Sequence, residues 1–139
     1  MSLMKVEGLI MGESKKNIRK PSRFGRHPIE GYSVHTALWV EKDGQLFIGG
    51  GRAKLLEEID RLGSIAAAAR SMNLTYSNAW LWVDAMNQLS EEPLVTKNTG
   101  GVGGGKAVVT EAGHKAINLY KELHDRLEND FDSEVSEEF

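Results

Sequence analysis

Residues 63–78 read GSIAAAARSMNLTYSN and contain two signals for the start of a helix. Ser64 directly precedes an alanine-rich run, and its hydroxyl can cap the free backbone amides of a short helix. Asn73 tolerates the left-handed conformation of a helix end, and Thr75 can cap a further helix that continues to about Leu89. The stretch therefore predicts two helices joined by a tight turn.

The two predicted helices have the features of a helix-turn-helix. Ala68 and Ala69 are small where crossing helices must touch. The exposed start of the second helix consists of Tyr76, Ser77 and Asn78, whose polar groups can reach base edges in a major groove. Any two short helices can share this spacing, so the pattern alone leaves a purely structural role open. The side chains predicted to face one core are Ile65, Ala69, Leu74, Ala79, Val83 and Met86.

A β-hairpin and a helix are predicted before this stretch. Residues 34–40 and 45–48 are rich in β-formers, and the Asp43-Gly44 pair between them is a hairpin turn signal. Residues 52–62 follow with leucine and isoleucine at helical spacing, and Gly63 stops that helix. The helix-turn-helix is therefore expected to follow a short hairpin and one further helix.

Two strand-like segments enclose a glycine-rich tip downstream. The segments are residues 94–97 and 107–110, and the tip between them contains five glycines. A hairpin at this position is the wing of a winged helix, and Lys97 and Lys106 at its two shoulders can contact phosphates. The residues predicted to contact DNA are Ser64, Thr75, Tyr76, Ser77, Asn78, Lys97 and Lys106.

The glycine-rich tip also fits most of a nucleotide-binding loop. Residues 100–106 match the first seven positions of the pattern G-x-x-x-x-G-K-[ST], whose amides cradle phosphates at the start of a helix. Ala107 stands at the eighth position, so the hydroxyl that ligates Mg²⁺ is missing, and the following residues resemble a returning strand. The wing is the favoured interpretation.

The last predicted helix begins after Thr110, which can cap it, and Glu111 suits its positive end. Apolar residues recur every three or four positions along it. Such a stripe fits either the core of the domain or a dimer interface, and a dimer would present two DNA-reading helices. The stripe consists of Ala116, Leu119, Tyr120, Leu123 and Leu127, of which the last four are the predicted dimer contacts.

The charges are concentrated at the two ends of the chain. The net charge is −3, yet residues 1–36 carry seven Lys or Arg against three Glu, whereas residues 121–139 carry two bases against eight acids. A basic arm that can touch phosphates is thus offset by an acidic tail, and solvated termini of this kind are expected to be poorly ordered. The predicted division is a basic arm at 1–33, a domain at 34–127 and an acidic tail at 128–139.

The composition excludes several classes of site. No cysteine is present, so disulfides and thiolate metal sites are excluded and a cytoplasmic location is expected. The four histidines have no i, i+4 pairing, so no metal or other cofactor is expected. No apolar run reaches the roughly 18 residues of a membrane span, and no nucleophilic triad is recognisable. The chain is therefore not expected to be an enzyme or to have a membrane partner.

Several short pieces of the sequence occur together in one known family. They are GSI at 63–65, AW at 79–80, MNQLSE at 86–91, LV at 94–95, TGG at 99–101, GGG at 103–105 and AV at 107–108. Through these pieces, residues from about 51 to 123 resemble the N-terminal DNA-binding domain of the ModE family of molybdate-responsive transcription regulators, relatives of the LysR-type winged helices. The resemblance implies a homodimer that binds a palindromic operator through the third helix and the wing.

Three departures limit what the resemblance implies. Ser77 stands where the family usually has a basic residue, and Asn78 where it has a small hydroxyl residue, so a different operator sequence is expected. Ala66 and Ala67 replace polar residues that commonly meet the DNA backbone. Family members with a sensor carry molybdate-binding domains after the dimer helix, and this sequence ends at Phe139, so molybdate sensing is not expected.

The sequence therefore predicts a mainly α protein with small β elements. It is expected to be a winged helix-turn-helix with a β-hairpin wing, an N-terminal β-hairpin and a C-terminal dimerisation helix. The leading function is a homodimeric, sequence-specific transcription regulator that binds double-stranded DNA, and only the resemblance links it to molybdate metabolism. Two alternatives stay open: a winged helix that binds a protein and no DNA, and an oxyanion binder at the dimer seam.

Overall fold

The computed structural model describes residue 31, residues 35–98 and residues 105–138. The chain divides into two compact units. One is Trp39–Lys121, and of the other the structure describes residues 31, 35–38 and 122–138. Almost all of the predicted basic arm at 1–33, and the tip of the second hairpin at 99–104, lie outside the described residues.

Four helices and two antiparallel hairpins account for the secondary structure of the described residues. The helices are α1 (Gly50–Leu62), α2 (Ile65–Ser71), α3 (Tyr76–Leu89) and α4 (Glu111–Glu138). The strands are β1 (Trp39–Lys42) paired with β2 (Gln45–Gly49), and β3 (Val95–Asn98) paired with β4 (Lys106–Val109). The predicted class, mainly α with small β elements, is confirmed. None of the described helices is long and apolar enough to cross a bilayer.

The N-terminal hairpin begins later than predicted. Residues 35–38 are not in a strand, and β1 instead extends to Lys42, which the sequence assigns to the turn. Asp43 and Gly44 have φ angles of 53° and 77°, as a two-residue type I′ turn requires. Because this turn is so tight, Lys42 pairs directly with Gln45. The charged residues Glu41 and Lys42 therefore belong to β1 rather than to the turn. Helix α1 begins two residues before its predicted start, since the chain enters it from β2 without a loop.

The caps predicted for α2 and α3 are confirmed. The Ser64 hydroxyl oxygen accepts from Ala67 N–H at 3.1 Å, and the Thr75 hydroxyl oxygen accepts from Asn78 N–H at 3.1 Å. Between the two helices, Asn73 has the predicted left-handed backbone, with a φ of 59°. Each cap pairs an amide that the first turn of a helix leaves without a partner, and so both helices begin where the sequence predicts.

Helices α1, α2 and α3 share one hydrophobic core with the strands. Five of the six predicted core residues are buried, whereas Leu74, in the turn, is half-buried against the core. Ala68 and Ala69 are buried, so small side chains allow the helices to approach closely, as predicted. The largest fully buried side chains are Ile48, Leu55, Leu56, Ile59, Met86, Leu94 and Val83.

The backbone of Leu94 and Val95 joins α3 to the second hairpin. The Asn87 amide oxygen accepts from Leu94 N–H at 2.8 Å and from Val95 N–H at 3.3 Å, and the Asn87 amide nitrogen donates to Val95 O at 3.0 Å. Because Leu94 and Val95 are buried, these three backbone groups depend on the side chain for their hydrogen bonds. Asn87 therefore fixes the position of the hairpin relative to α3.

The same backbone also fixes the start of α4. Thr110 N–H donates to Leu94 O at 2.9 Å, and the Thr110 hydroxyl donates to Pro93 O at 2.7 Å and accepts from Gly113 N–H at 3.1 Å. A Cβ on Gly113 would overlap the Leu94 carbonyl oxygen and lie 2.6 Å from Val109 Cγ1. Glycine is thus required for this close approach. The predicted cap at Thr110 is confirmed.

Two polar contacts hold the first part of α4 against α1. His114 Nε2 lies 3.1 Å from Asp60 Oδ1, and Lys121 Nζ lies 2.6 Å from Glu57 Oε2. The apolar side chains of residues 116–117, which lie between the two contacts in sequence, are buried. The beginning of α4 therefore belongs to the core of the domain.

Helix α4 is longer than the sequence suggests. It continues to Glu138, through residues 128–138 of the segment predicted to be a poorly ordered acidic tail. Oppositely charged residues one turn apart support such a helix, and Arg126 Nη2 lies 2.9 Å from Glu122 Oε2. An acidic composition alone therefore does not mark the end of the helix.

A buried carboxylate lies between α1 and α2. Glu58 is 6% exposed, accepts from the Ser71 hydroxyl at 2.8 Å, and pairs with Arg61 and Lys54. The hydrogen bonds from Arg61 and Ser71 lower the pKa of this carboxyl from 4.5 to about 2, against the opposing effect of burial. Glu58 therefore joins the end of α2 to α1 in its charged form.

Replacement of Glu58 by glutamine is expected to lower the free energy of unfolding by about 1–3 kcal/mol at neutral pH. The folded-state pKa is lowered, so the carboxylate stabilises the fold above its ordinary pKa and loses this effect as the pH falls towards 2. The difference between wild type and Glu58→Gln, measured by urea unfolding, should therefore shrink between about pH 5 and pH 3.

Glu122→Gln, at an exposed carboxylate, is the matched control for this experiment. It should cost less than about 0.5 kcal/mol at neutral pH. A difference between wild type and Glu58→Gln that stays constant down to about pH 3 would contradict the role given to the Glu58 carboxylate.

Asn87→Ala is expected to lower the free energy of unfolding by about 2–4 kcal/mol, because buried backbone groups of Leu94 and Val95 lose their partner. Asn87→Asp keeps an acceptor but loses the donor to Val95 O, and should fall between alanine and wild type. Urea unfolding measures both variants, with Gln88→Ala at the exposed neighbouring residue as the control. Equal losses for Asn87→Ala and Gln88→Ala would show that Asn87 does not hold the hairpin.

Candidate nucleic-acid interface

The first turn of α3 presents polar side chains to solvent. Tyr76 is 46% exposed, and Ser77 and Asn78 are exposed beside it. Ala79 and Val83, on the inner side of the helix, are buried in the core. The fold therefore leaves the three residues predicted to reach base edges outside the core, at the start of the second helix of the helix-turn-helix.

Ser64 and Thr75 have structural roles as the caps of α2 and α3. Each hydroxyl oxygen accepts from a backbone amide of its own helix. A hydroxyl also carries one proton to donate, so a capping residue can still bind a phosphate oxygen. Thr75 is exposed, whereas Ser64 is half-buried. Both remain predicted contacts, and Thr75 is the more accessible of the two.

Strands β3 and β4 form the predicted second hairpin, with each strand shifted by one residue from its expected range. Val95, Ala107 and Val109 are buried on its inner face. Lys97 and Lys106 are exposed, and Lys106 pairs with the last residue of β3. Both lysines thus belong to strands that flank the glycine-rich tip, as the sequence predicts.

The alternative interpretation of residues 100–106 as a nucleotide-binding loop is wrong. A phosphate cradle requires the first turn of a helix immediately after the loop. Lys106–Val109 is instead a strand, paired with β3 throughout its length. The preference for a wing is confirmed.

Lys97 is held against α3, which the sequence did not indicate. Its ammonium nitrogen lies 4.2 Å from the centre of the Trp80 ring and 3.5 Å from the Tyr76 hydroxyl oxygen. The face of an indole ring attracts a cation, so this position is favourable for the lysine. We call these three residues the Tyr76–Trp80–Lys97 cluster. It brings a positive charge of the hairpin to the first turn of α3.

Other charges occur on the helix-turn-helix. Arg70, in the last turn of α2, is exposed. The sequence does not single it out, because one basic residue in an alanine-rich helix has no distinguishing neighbour. Asp84, exposed on α3, accepts from the Gln88 amide at 2.9 Å, and its charge would repel phosphates. Among the residues that the structure describes, no group of three or more acidic or histidine side chains could hold a metal ion.

The predicted dimer contacts on α4 differ in their exposure. Leu119 is 45% exposed, whereas Leu123 and Leu127 are half-buried. Tyr120 packs against the core of its own domain, and a Cβ on Gly50 would lie 3.3 Å from its hydroxyl oxygen. Leu119 is therefore the most accessible of the four predicted dimer contacts.

Residues 52–114 match the bacterial regulatory helix-turn-helix proteins of the lysR family. The molybdenum-pterin-binding protein MopA of Rhodobacter capsulatus is 48% identical over 81 residues, which cover 58% of this chain and 31% of that protein. The DNA-binding transcriptional dual regulator ModE of Escherichia coli K12 is 42% identical over 95 residues, which cover 68% of this chain and 36% of that protein. The matched part thus spans about a third of these relatives.

Among solved structures, ArgP from Mycobacterium tuberculosis aligns over 63% of this chain and 30% of its own, with a TM-score of 0.44 and 24% identity. This structural likeness is too weak to support a family assignment. The assignment therefore rests on the sequence relatives. The resemblance to the ModE regulators is confirmed by those relatives. The match to the lysR family at residues 52–114 includes most of α1, all of α2 and α3, and the second hairpin. Residues 52–114 of this chain are therefore a winged helix-turn-helix domain of the bacterial lysR regulatory family.

Proposed function

We propose that this chain acts as a DNA-binding regulator of transcription, as a homodimer in the cytoplasm and without enzymatic activity. In this proposal the first turn of α3 lies in the major groove of DNA and the second hairpin contacts the adjacent backbone. The observation that carries it is the exposure of Tyr76, Ser77 and Asn78 at the start of the second helix of the helix-turn-helix.

The side chains at the start of α3 suit base edges. An asparagine amide can pair with both the donor and the acceptor of adenine in the major groove, and a serine hydroxyl can pair with several bases. Asn78 and Ser77 are therefore proposed to read bases. The neighbouring Tyr76 hydroxyl lies beside the Lys97 ammonium group and can bind a base or a phosphate.

The lysines of the hairpin are proposed to bind phosphates. Lys97 is already positioned by the Tyr76–Trp80–Lys97 cluster, so less side-chain entropy is lost when it binds. Lys106 is exposed at the beginning of β4. The Ser64 and Thr75 hydroxyls would add neutral contacts. Such contacts position a protein on the duplex but carry no sequence information, which leaves specificity to α3.

A second copy of the chain is proposed to bind through α4. Leu119, Leu123 and Leu127 recur every four residues on this 28-residue helix, a spacing that forms an apolar stripe. A symmetric dimer would present two copies of α3 to half-sites about one helical turn of DNA apart, roughly 34 Å. The operator is therefore expected to be palindromic.

The names of the relatives support the regulatory role and suggest its theme. ModE of Escherichia coli is described as a DNA-binding transcriptional dual regulator, and MopA of Rhodobacter capsulatus as a molybdenum-pterin-binding protein. We propose that the regulated genes concern molybdate. Tighter binding to DNA upstream of molybdate-transport genes than to a random duplex pool would support this theme.

Fluorescence anisotropy with a random duplex pool and with the DNA upstream of the protein's own gene tests the DNA-binding proposal. Wild type should bind with an affinity that falls steeply as salt rises. Lys106→Ala should weaken binding to all duplexes alike and reduce the slope of log affinity against log salt by about one for each subunit. Asn78→Ala should instead reduce the preference between duplexes, since it removes a base contact.

Lys42→Ala is the control, because it removes the same charge from the N-terminal hairpin. It should leave the salt slope unchanged. If wild type shows no binding to any duplex at low salt, the DNA-binding proposal fails, and a winged helix that binds a protein partner becomes the better account.

Sedimentation velocity tests the dimer proposal. The wild-type chain should sediment as a species of twice 15.4 kDa. Leu119→Asp places a charge in the proposed seam and should weaken association at least about tenfold. Asn118→Asp, at the exposed neighbouring residue, should retain the dimer. A wild-type chain that stays at 15.4 kDa at concentrations of about 50 μM would contradict a dimer seam on α4.

A further inference from the structure

An exposed leucine lies on the outer face of α3. Leu81 is 63% exposed, more than the other large apolar side chains that the structure describes as exposed. It follows Ser77 by four residues and Asn78 by three, so all three lie on neighbouring parts of the helix surface. Ala79 and Val83 are buried on the other side. Leu81 therefore extends the proposed base-reading surface by one turn.

The packing of the domain does not account for Leu81. It lies outside the hydrophobic cluster that contains Ala79, Val83 and Met86 and against which Trp80 and Trp82 pack. The transfer of an apolar side chain of this size out of water is favourable, and Leu81 does not gain that free energy within its own domain. A single exposed leucine is ordinary on a protein surface, but this one lies within the proposed base-reading surface, where it would face the DNA.

The chemistry of the major groove offers Leu81 one apolar feature. Base edges there present hydrogen-bond donors and acceptors, which a leucine cannot use, and the C5-methyl group of thymine, which it can contact. Phosphates are equally unsuitable for a leucine. We infer that Leu81 contacts thymine C5-methyl groups and so makes the operator depend on thymine at that position, an inference that rests on the proposed DNA binding.

The test compares thymine with uracil, which pairs identically but lacks the C5-methyl group. A duplex selected from a random pool by the wild-type protein is resynthesised with uracil in place of thymine. Wild type should lose about fourfold in affinity for each methyl contact removed, as expected for one buried methyl group. Leu81→Ala should bind the thymine duplex more weakly than wild type by a similar factor and should bind both duplexes alike.

Leu46→Ala is the matched control, since Leu46 is an exposed leucine of the N-terminal hairpin. It should show the wild-type preference for thymine. The inference is overturned if Leu81→Ala loses as much affinity as wild type when uracil replaces thymine, or if wild type binds both duplexes equally.

Two further outcomes separate this inference from the functional proposal. If wild type selects no duplex even at low salt, both fail together. If Leu81→Ala keeps the preference for thymine but changes the sedimentation of the protein, then Leu81 contacts a second copy of the chain, and only the thymine inference is wrong. Circular dichroism should show a folded Leu81→Ala, because the side chain is exposed.

Discussion

Hydrogen bonds to the backbone of Leu94 and Val95 join α3, the second hairpin and the start of α4. The Asn87 side chain reaches these residues from α3, and Thr110 reaches them from the start of α4. Gly113 allows α4 to approach them without a side chain between. Three consecutive elements, α3, the second hairpin and α4, therefore meet at one short piece of backbone, and the direction of the hairpin is fixed there.

The position of this piece of backbone determines the surface at the other end of the hairpin. Lys97 follows Val95 by two residues and lies over the Trp80 ring beside the Tyr76 hydroxyl. A positive charge of the hairpin and the polar first turn of α3 are thus parts of one surface. The buried Glu58 carboxylate also stabilises the helix-turn-helix, because it joins α1 to the end of α2. Buried polar contacts stabilise the fold, and the polar side chains at the start of α3 remain exposed to solvent.

The local parts of the fold could be predicted from the sequence because they depend on neighbours in the chain. The caps at Ser64 and Thr75, the left-handed Asn73 and the Asp43-Gly44 turn are of this kind. Polar side-chain contacts between one element and another could not be predicted. Glu58 has the appearance of an ordinary surface acid, and Asn87 belongs to a piece of sequence that identified the family without revealing its own role. The Lys97 position depends on where the hairpin lies, which local patterns do not specify.

In the proposed complex, α3 enters the major groove while the second hairpin contacts the adjacent DNA backbone. Backbone amide NMR spectra of the chain, recorded with and without a duplex selected from a random pool, would show which residues approach the DNA. We expect the largest chemical-shift changes in the first two turns of α3, with further changes at Lys97 and Lys106. If a complex forms but leaves the amides of residues 76–81 unchanged, with changes confined to β1, β2 or α4, then α3 does not enter the groove.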